Sequence, residues 1–260
     1  LSTAGTSALV VAAQSEHSTS ALEMLISAGA TLKMRDSRRQ TALHAAARVG
    51  CTSALRVLIP AAIAEGKADE ARRAGPLPSQ KDPPIELRDR WNRTALHWAV
   101  VNQQAEAMDL LIAAGASVQG VPMKQKKHSK ATHLPLESPL HSAARLPPNA
   151  AAPLVRVLLA ASADVHHLDQ FGQTPLHVAA AACGQGLCTR CAVSNDGAVA
   201  VLFALLGAGA VVECKDHSGR TALDLVHQFA GGEPAAVTLM QQGANAEGLS
   251  EVLRLYRSTS

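Results

Sequence analysis

The stretch DQFGQTPLHVAA, Asp169 to Ala180, limits the fold more than any other part of the chain. Asp169 and Gly172 mark a tight turn, in which glycine supplies a positive φ that a side chain would oppose. Thr174 stands where a helix N-cap belongs. Pro175 follows at the first helical position, where a missing N–H costs nothing. Leu176, Ala179 and Ala180 come next at helical spacing and are mostly small, so a second helix can approach closely. That partner is predicted downstream, where the apolar run Ala198 to Leu206 stops at Gly207-Ala208-Gly209-Ala210. A turn, a short helix, a second helix and a glycine stop make one unit.

The unit recurs as TALHAAA from Thr41, TALHWAV from Thr94, SPLHSAA from Ser138 and TALDLVH from Thr221, with a degraded SALVVAA at Ser7. Apolar pairs followed by Gly-Ala stops come after most copies: Leu25-Ile26 with Gly29-Ala30, Leu111-Ile112 with Gly115-Ala116, Leu205-Leu206 with Gly209-Ala210, and Leu239-Met240 with Gly243-Ala244. Leu158-Leu159 has Ser162-Ala163 in that place. At these residues the sequence resembles the ankyrin repeat family, whose unit of about 33 residues is a β-turn and two antiparallel helices. The resemblance covers nearly the whole chain as six units, approximately 2–34, 36–59, 89–118, 137–165, 169–212 and 216–246. It implies an all-α ankyrin-repeat solenoid of helix-turn-helix units with β-turn fingers.

Composition agrees. The chain is 47% hydrophobic but only 2% aromatic. Its core is therefore built from Ala, Leu and Val, which suits thin interfaces between stacked helix pairs. A net charge of +3 does not by itself imply nucleic acid, and five cysteines without regular spacing argue for a reducing compartment rather than a disulfide framework. No secretory signal or membrane span is visible, so the expected location is intracellular and cytoplasmic, with cytoskeletal association or the nucleus as variants. Leu1 in place of Met suggests a piece of a longer protein.

The positions Ser7, Thr41, Thr94, Ser138, Thr174 and Thr221 are separated by 34, 53, 44, 36 and 47 residues. The long gaps assign insertions to 60–86, 119–135 and 183–197, expected in loops outside the repeat core. Pro60 is expected to break or kink its helix, with a further helical piece over Ala61 to Ala74 and an extended linker over Gly75 to Pro84. LSEVLRLYR predicts a capping helix at 249–257.

His44, His97, His141 and His177 share one motif position, one per unit, too far apart to converge on an ion; the family implies that they hydrogen-bond the turn and tie adjacent units. Cys183, Cys188 and Cys191 suit either a zinc site short of a clear fourth ligand or a reduced loop. The lysines from Lys124 to Lys130 suit an import signal, an anionic surface or a solvated loop. Nucleotide, metalloprotease, hydrolase and kinase motifs are missing, so no catalytic residue, cofactor or metal is assigned and the reading is non-enzymatic.

The resemblance further implies a concave face made of finger tips and first helices, used to bind a protein partner as a scaffold or adaptor. By position this face would hold Arg38, Gln40, Arg48, Arg90, Trp91, Arg93, Asn102, Arg145, Phe171, Gln173, His217 and Arg220. Six are arginines and none is acidic, so an acidic partner surface or tail is expected, engaged mainly by units two and three. Asp36, Asp89, Asp169 and Asp216 open the turns and are expected to spend their carboxylates on local hydrogen bonds. Trp91 and Phe171 are read either as interface anchors or as packing on an insertion. Two other readings stand beside this one: a regulatory or targeting module of a larger enzyme, and an architectural subunit of a cytoskeletal or ribonucleoprotein assembly.

Overall fold

Residues 7–72, 82–119, 137–184 and 196–227 are described by a computed structural model. They form two compact units, one within Leu1–Pro135 and one within Leu136–Ser260. All regular elements among the described residues are helical.

In the first unit, α1 (Ala8–Ala12) pairs with α2 (Thr19–Ser27), α3 (Ala42–Val49) with α4 (Thr52–Arg72), and α5 (Ala95–Val101) with α6 (Ala105–Ala113). First helices pack on first helices (α1 on α3, α3 on α5) and second helices on second helices (α2 on α4, α4 on α6). The second unit repeats this ladder with α7 (Pro139–Ala144), α8 (Pro148–Ala160), α9 (Pro175–Gly184), α10 (Asp196–Gly207) and α11 (Ala222–His227).

The motif leucines Leu43, Leu96, Leu140 and Leu176 are at most 1% exposed, and Ala46, Ala47, Ala99, Ala143 and Ala180 pack beside them. Small side chains at these positions let the helices approach, and leucines fill the space between them. Second helices end as the Gly-Ala pairs require. Gly29, Gly115 and Gly209 take φ of 84°, 84° and 90°, and the N–H of the following alanine reaches back to Leu25, Leu111 or Leu205. Ser162 takes the same left-handed conformation, φ 64°, where glycine stands elsewhere.

The first insertion differs from expectation. Pro60 does not break α4, which runs on to Arg72. Pro60 is exposed, so water can satisfy the carbonyl that its missing N–H leaves without a donor, while buried Ile59 and Ala62 hold both sides of it to the core. The far end of the stretch also belongs to the repeat. Ile85 lies four residues before Asp89, as Leu32, Val165 and Val212 lie before Asp36, Asp169 and Asp216, and all four apolar side chains are buried.

Two carboxylates from this stretch bind backbone in other repeats. Glu65 Oε2 accepts the Leu32 N–H at 2.9 Å, and its Oε1 accepts the Thr31 hydroxyl. Glu86, in a 3-10 turn at Pro84–Glu86, accepts the Ser117 N–H at 2.6 Å, and burial raises its pKa. Through Glu65 and Glu86, the described ends of the stretch are therefore tied to the loops of units one and three. Of the expected insertions 119–135 and 183–197, the ends 183–184 and 196–197 belong to α9 and α10, while 120–135 and 185–195, with the basic loop, Cys188, Cys191 and the capping helix, lie outside the described residues, as does the side chain of Cys183.

Candidate functional site: the finger tips

Each described finger is the same hydrogen-bonded device. The opening aspartate donates its N–H to the carbonyl four residues on, as in Asp36 to Gln40, Asp89 to Arg93, Asp169 to Gln173 and Asp216 to Arg220. One Oδ of the aspartate accepts two N–H groups across the turn, from residues two and four positions later, at 2.7–3.0 Å. The residue three positions after the aspartate is left-handed: Arg39 (φ 60°), Asn92 (62°), Gly172 (71°) and Gly219 (78°). At Gly172 a Cβ would also run into the His217 ring. One oxygen of each aspartate is thus spent within the turn, as its position predicts.

The motif histidines tie finger to finger. His44 Nδ1 accepts the Thr41 N–H (3.2 Å) and lies 2.8 Å from its hydroxyl. With Nδ1 an acceptor, the ring proton sits on Nε2, which donates to the Arg93 carbonyl of the next finger at 3.0 Å. His141 reaches Gln173 and His177 reaches Arg220 in the same way, at 2.9 and 3.2 Å. Burial, above all, lowers the pKa of His44, and it brings that of His141 down to about 4. Asp224, which replaces the histidine in unit six, keeps the near half of the role: it caps the Thr221 N–H and hydroxyl at 2.7 and 2.8 Å.

A pairing of backbones also runs between fingers. The Arg90 N–H donates to the Arg38 carbonyl at 3.1 Å, and the His217 N–H to the Phe171 carbonyl at 3.0 Å. Neighbouring fingers are therefore held in fixed register within each unit.

A family model for ankyrin repeats, in three copies, matches residues 9–122. The crystal structure of the ankyrin repeat domain of Bcl-3, described as a unique member of the IkappaB protein family, aligns with a TM-score of 0.61. That match has 25% identity over 85% of this chain and 78% of the other. Residues 9–122 belong to the ankyrin repeat family, and the described residues beyond them repeat the same helix ladder. An ankyrin repeat domain from Acinetobacter baumannii shares the fold with a TM-score of 0.65, at 20% identity over 91% of this chain and 98% of the other. No curated protein matches the sequence at a significant level. The fold class is an all-α ankyrin solenoid, and ankyrin repeats are in general protein–protein interaction modules, typically without catalysis. Among the described residues no helix is long and apolar enough to cross a membrane.

The residues expected to form the binding face of this ankyrin repeat protein fall into distinct environments. Arg38 and Arg90 are exposed, and Arg48, Trp91, Arg93 and Asn102 are half-buried. Gln40 is only 3% exposed and serves the turn, so it does not present a side chain to a partner. Arg145 is paired with Glu137, and Arg220 is paired with Asp216. Phe171 is 56% exposed; with Gln170, Gln173, His217, Ser218 and Arg220 it lines a shallow depression of about 330 Å³.

Among the described residues Trp91 does not stand alone. Its ring meets Trp98, on α5, edge to face with centroids 6.0 Å apart. Arg90 lies over Trp91 at 4.4 Å and Arg93 over Trp98 at 5.4 Å. Trp98 is not among the residues that the sequence places on the binding face. Its pairing with finger three follows from the chain folding back along α5, which residue type alone does not reveal.

Proposed function

We propose that this ankyrin repeat protein is a non-enzymatic adaptor whose fingers and first helices bind an acidic surface or tail of a protein partner, chiefly through the first unit. The observation that carries this reading is the state of the arginines. Among the described residues Arg38, Arg48, Arg90 and Arg93 make no ion pair, and the aspartates closest to them in sequence, Asp36 and Asp89, are committed to backbone N–H groups. Arg35 adds to the same field; burial and then the charge of Arg39 lower its pKa. Guanidinium groups suit the role because their planar forks bind carboxylates in pairs and give up hydration readily.

The test uses a fluorescently labelled decaglutamate peptide, with decalysine and decaglutamine as controls. Only decaglutamate should bind. Its affinity should fall roughly tenfold from about 0.05 M to about 0.3 M salt, because exposed charges are screened over ~8–10 Å near physiological ionic strength. Equal binding of all three peptides, or none at low salt, would refute the acidic-partner reading.

A further inference from the structure

Fingers three and six place an arginine four residues after the opening aspartate: Arg93 after Asp89, and Arg220 after Asp216. In both, Oδ1 of the aspartate accepts the two turn N–H groups. The fate of Oδ2 differs. Asp216 Oδ2 takes Nε and Nη2 of Arg220 at 3.1 and 2.9 Å, a two-pronged pair that occupies the guanidinium fork. Asp89 Oδ2 instead accepts the indole N–H of Trp98 at 2.9 Å, and Arg93 lies over the Trp98 ring. The corresponding positions in units two, five and six hold Ala45, Val178 and Leu225, none with a side-chain donor. In finger five Asp169 Oδ2 is buried with no partner among the described residues.

We propose that Trp98 is a positioning residue for partner binding. By occupying the outer oxygen of Asp89 it keeps Arg93 from folding back onto its own finger. The indole face then holds the Arg93 guanidinium beside Trp91 and Arg90. The result is a pair of tryptophan-supported guanidinium groups that reads carboxylates of successive Glu or Asp side chains in an acidic protein segment. Charge complementarity names the occupant: finger three offers two cations whose nearest carboxylate in sequence is already spent, and stacked planar cations present their N–H edges outward. A lysine would neither stack as a plane nor donate in a fork. The inference rests on the acidic-partner reading above and adds to it a specific arrangement and a residue that never touches the partner.

The experiment is a decaglutamate titration of the full chain and three variants, followed by labelled-peptide anisotropy and by tryptophan fluorescence. Trp91 and Trp98 are the two tryptophans of the chain, so the second signal reports from this finger. Trp98→Phe keeps an aromatic ring but removes the N–H. It should weaken binding as much as Arg93→Gln does, about fivefold or more, because Arg93 then pairs with Asp89 as Arg220 pairs with Asp216. Adding Asp89→Asn to Trp98→Phe keeps the turn acceptor while removing the competing charge, and should restore affinity to within about twofold of the parent. A mere loss of packing would not be rescued by that second change.

The inference is overturned if Trp98→Phe binds like the parent while Arg93→Gln does not, or if the double variant stays weak while remaining folded by circular dichroism. Either result leaves the acidic-partner reading intact. That reading fails separately, together with the inference, if the parent protein does not bind decaglutamate at low salt.

Discussion

Finger three and finger six share a backbone, an opening aspartate and an arginine at the same position, yet they hold that arginine in opposite states. In finger six Arg220 is neutralised by its own finger, and the N–H groups of Arg220 and Ser218 help the ion pair hold Asp216 at a pKa of about 2 against the effect of burial. In finger three the indole of Trp98 takes the arginine's place on the carboxylate. A repeat array can thus keep one fold across its units while a single side chain on the first helix sets whether a finger presents charge. The repeat fixes the backbone; the variable positions set what it offers.

The comparison holds only if both units are built on the same core, and that has the largest expected effect. Leu43→Ala in the first unit and Leu176→Ala in the second each remove a side chain at most 1% exposed. Each should cost about 2–5 kcal/mol in chemical denaturation. A cost below about 1 kcal/mol for either would mean that its unit is not held by the motif leucine.

Next in size is pH. A histidine whose folded pKa is lowered binds fewer protons folded than unfolded, so stability is full above the ordinary value of about 6.5 and falls as pH drops toward the folded value. With His141 at about 4, acidification from pH 7.5 to 5 should cost about 2 kcal/mol from that residue alone, and His44 adds a loss of the same sign in the other unit. Glu86, with a raised pKa, pulls the other way as the pH falls. His141→Asn should therefore shrink the pH-dependent loss by about 2 kcal/mol. An unchanged pH dependence in that variant would contradict the tether geometry.

Much of this was legible in the sequence. The turn, cap, leucine and glycine positions recur at fixed offsets, so local chemistry dictated them, and the four histidines read correctly as finger-to-finger ties wherever their contacts are described. The insertion after Pro60 was harder. Its prolines read as a linker up to Pro84, which hid Ile85 in the position that Leu32, Val165 and Val212 hold elsewhere. Pro60 itself faces water, where its missing N–H is cheap. Gln40 was misplaced because position in a finger does not show which way a side chain turns. Trp98 was invisible for a related reason: its effect depends on meeting Asp89, nine residues earlier, across a turn and a helix start.

A smaller effect converts one finger into the other. Asp216→Asn keeps the turn acceptor but releases Arg220, and should raise decaglutamate affinity about threefold, in line with the ~0.2–1 kcal/mol of a partly exposed ion pair. No gain would mean that the internal pair does not withhold Arg220 from ligands. Smallest of all, Ser162→Gly should stabilise the protein by about 0.5–1 kcal/mol, because Ser162 holds φ at 64° where the other described stops have glycine. A loss of stability would show that the Ser162 side chain contributes more than its backbone strain costs.

The most direct test of the central claim reverses charge in one unit at a time. One variant carries Arg48→Glu, Arg90→Glu and Arg93→Glu; the other carries Arg145→Glu and Arg220→Glu. Both are titrated with decaglutamate at low salt. The account predicts that the first loses binding by at least about tenfold, while the second stays within about twofold of the parent, because its arginines are already neutralised by Glu137 and Asp216. Wild-type affinity in the first variant, or an equal loss in both, would contradict it.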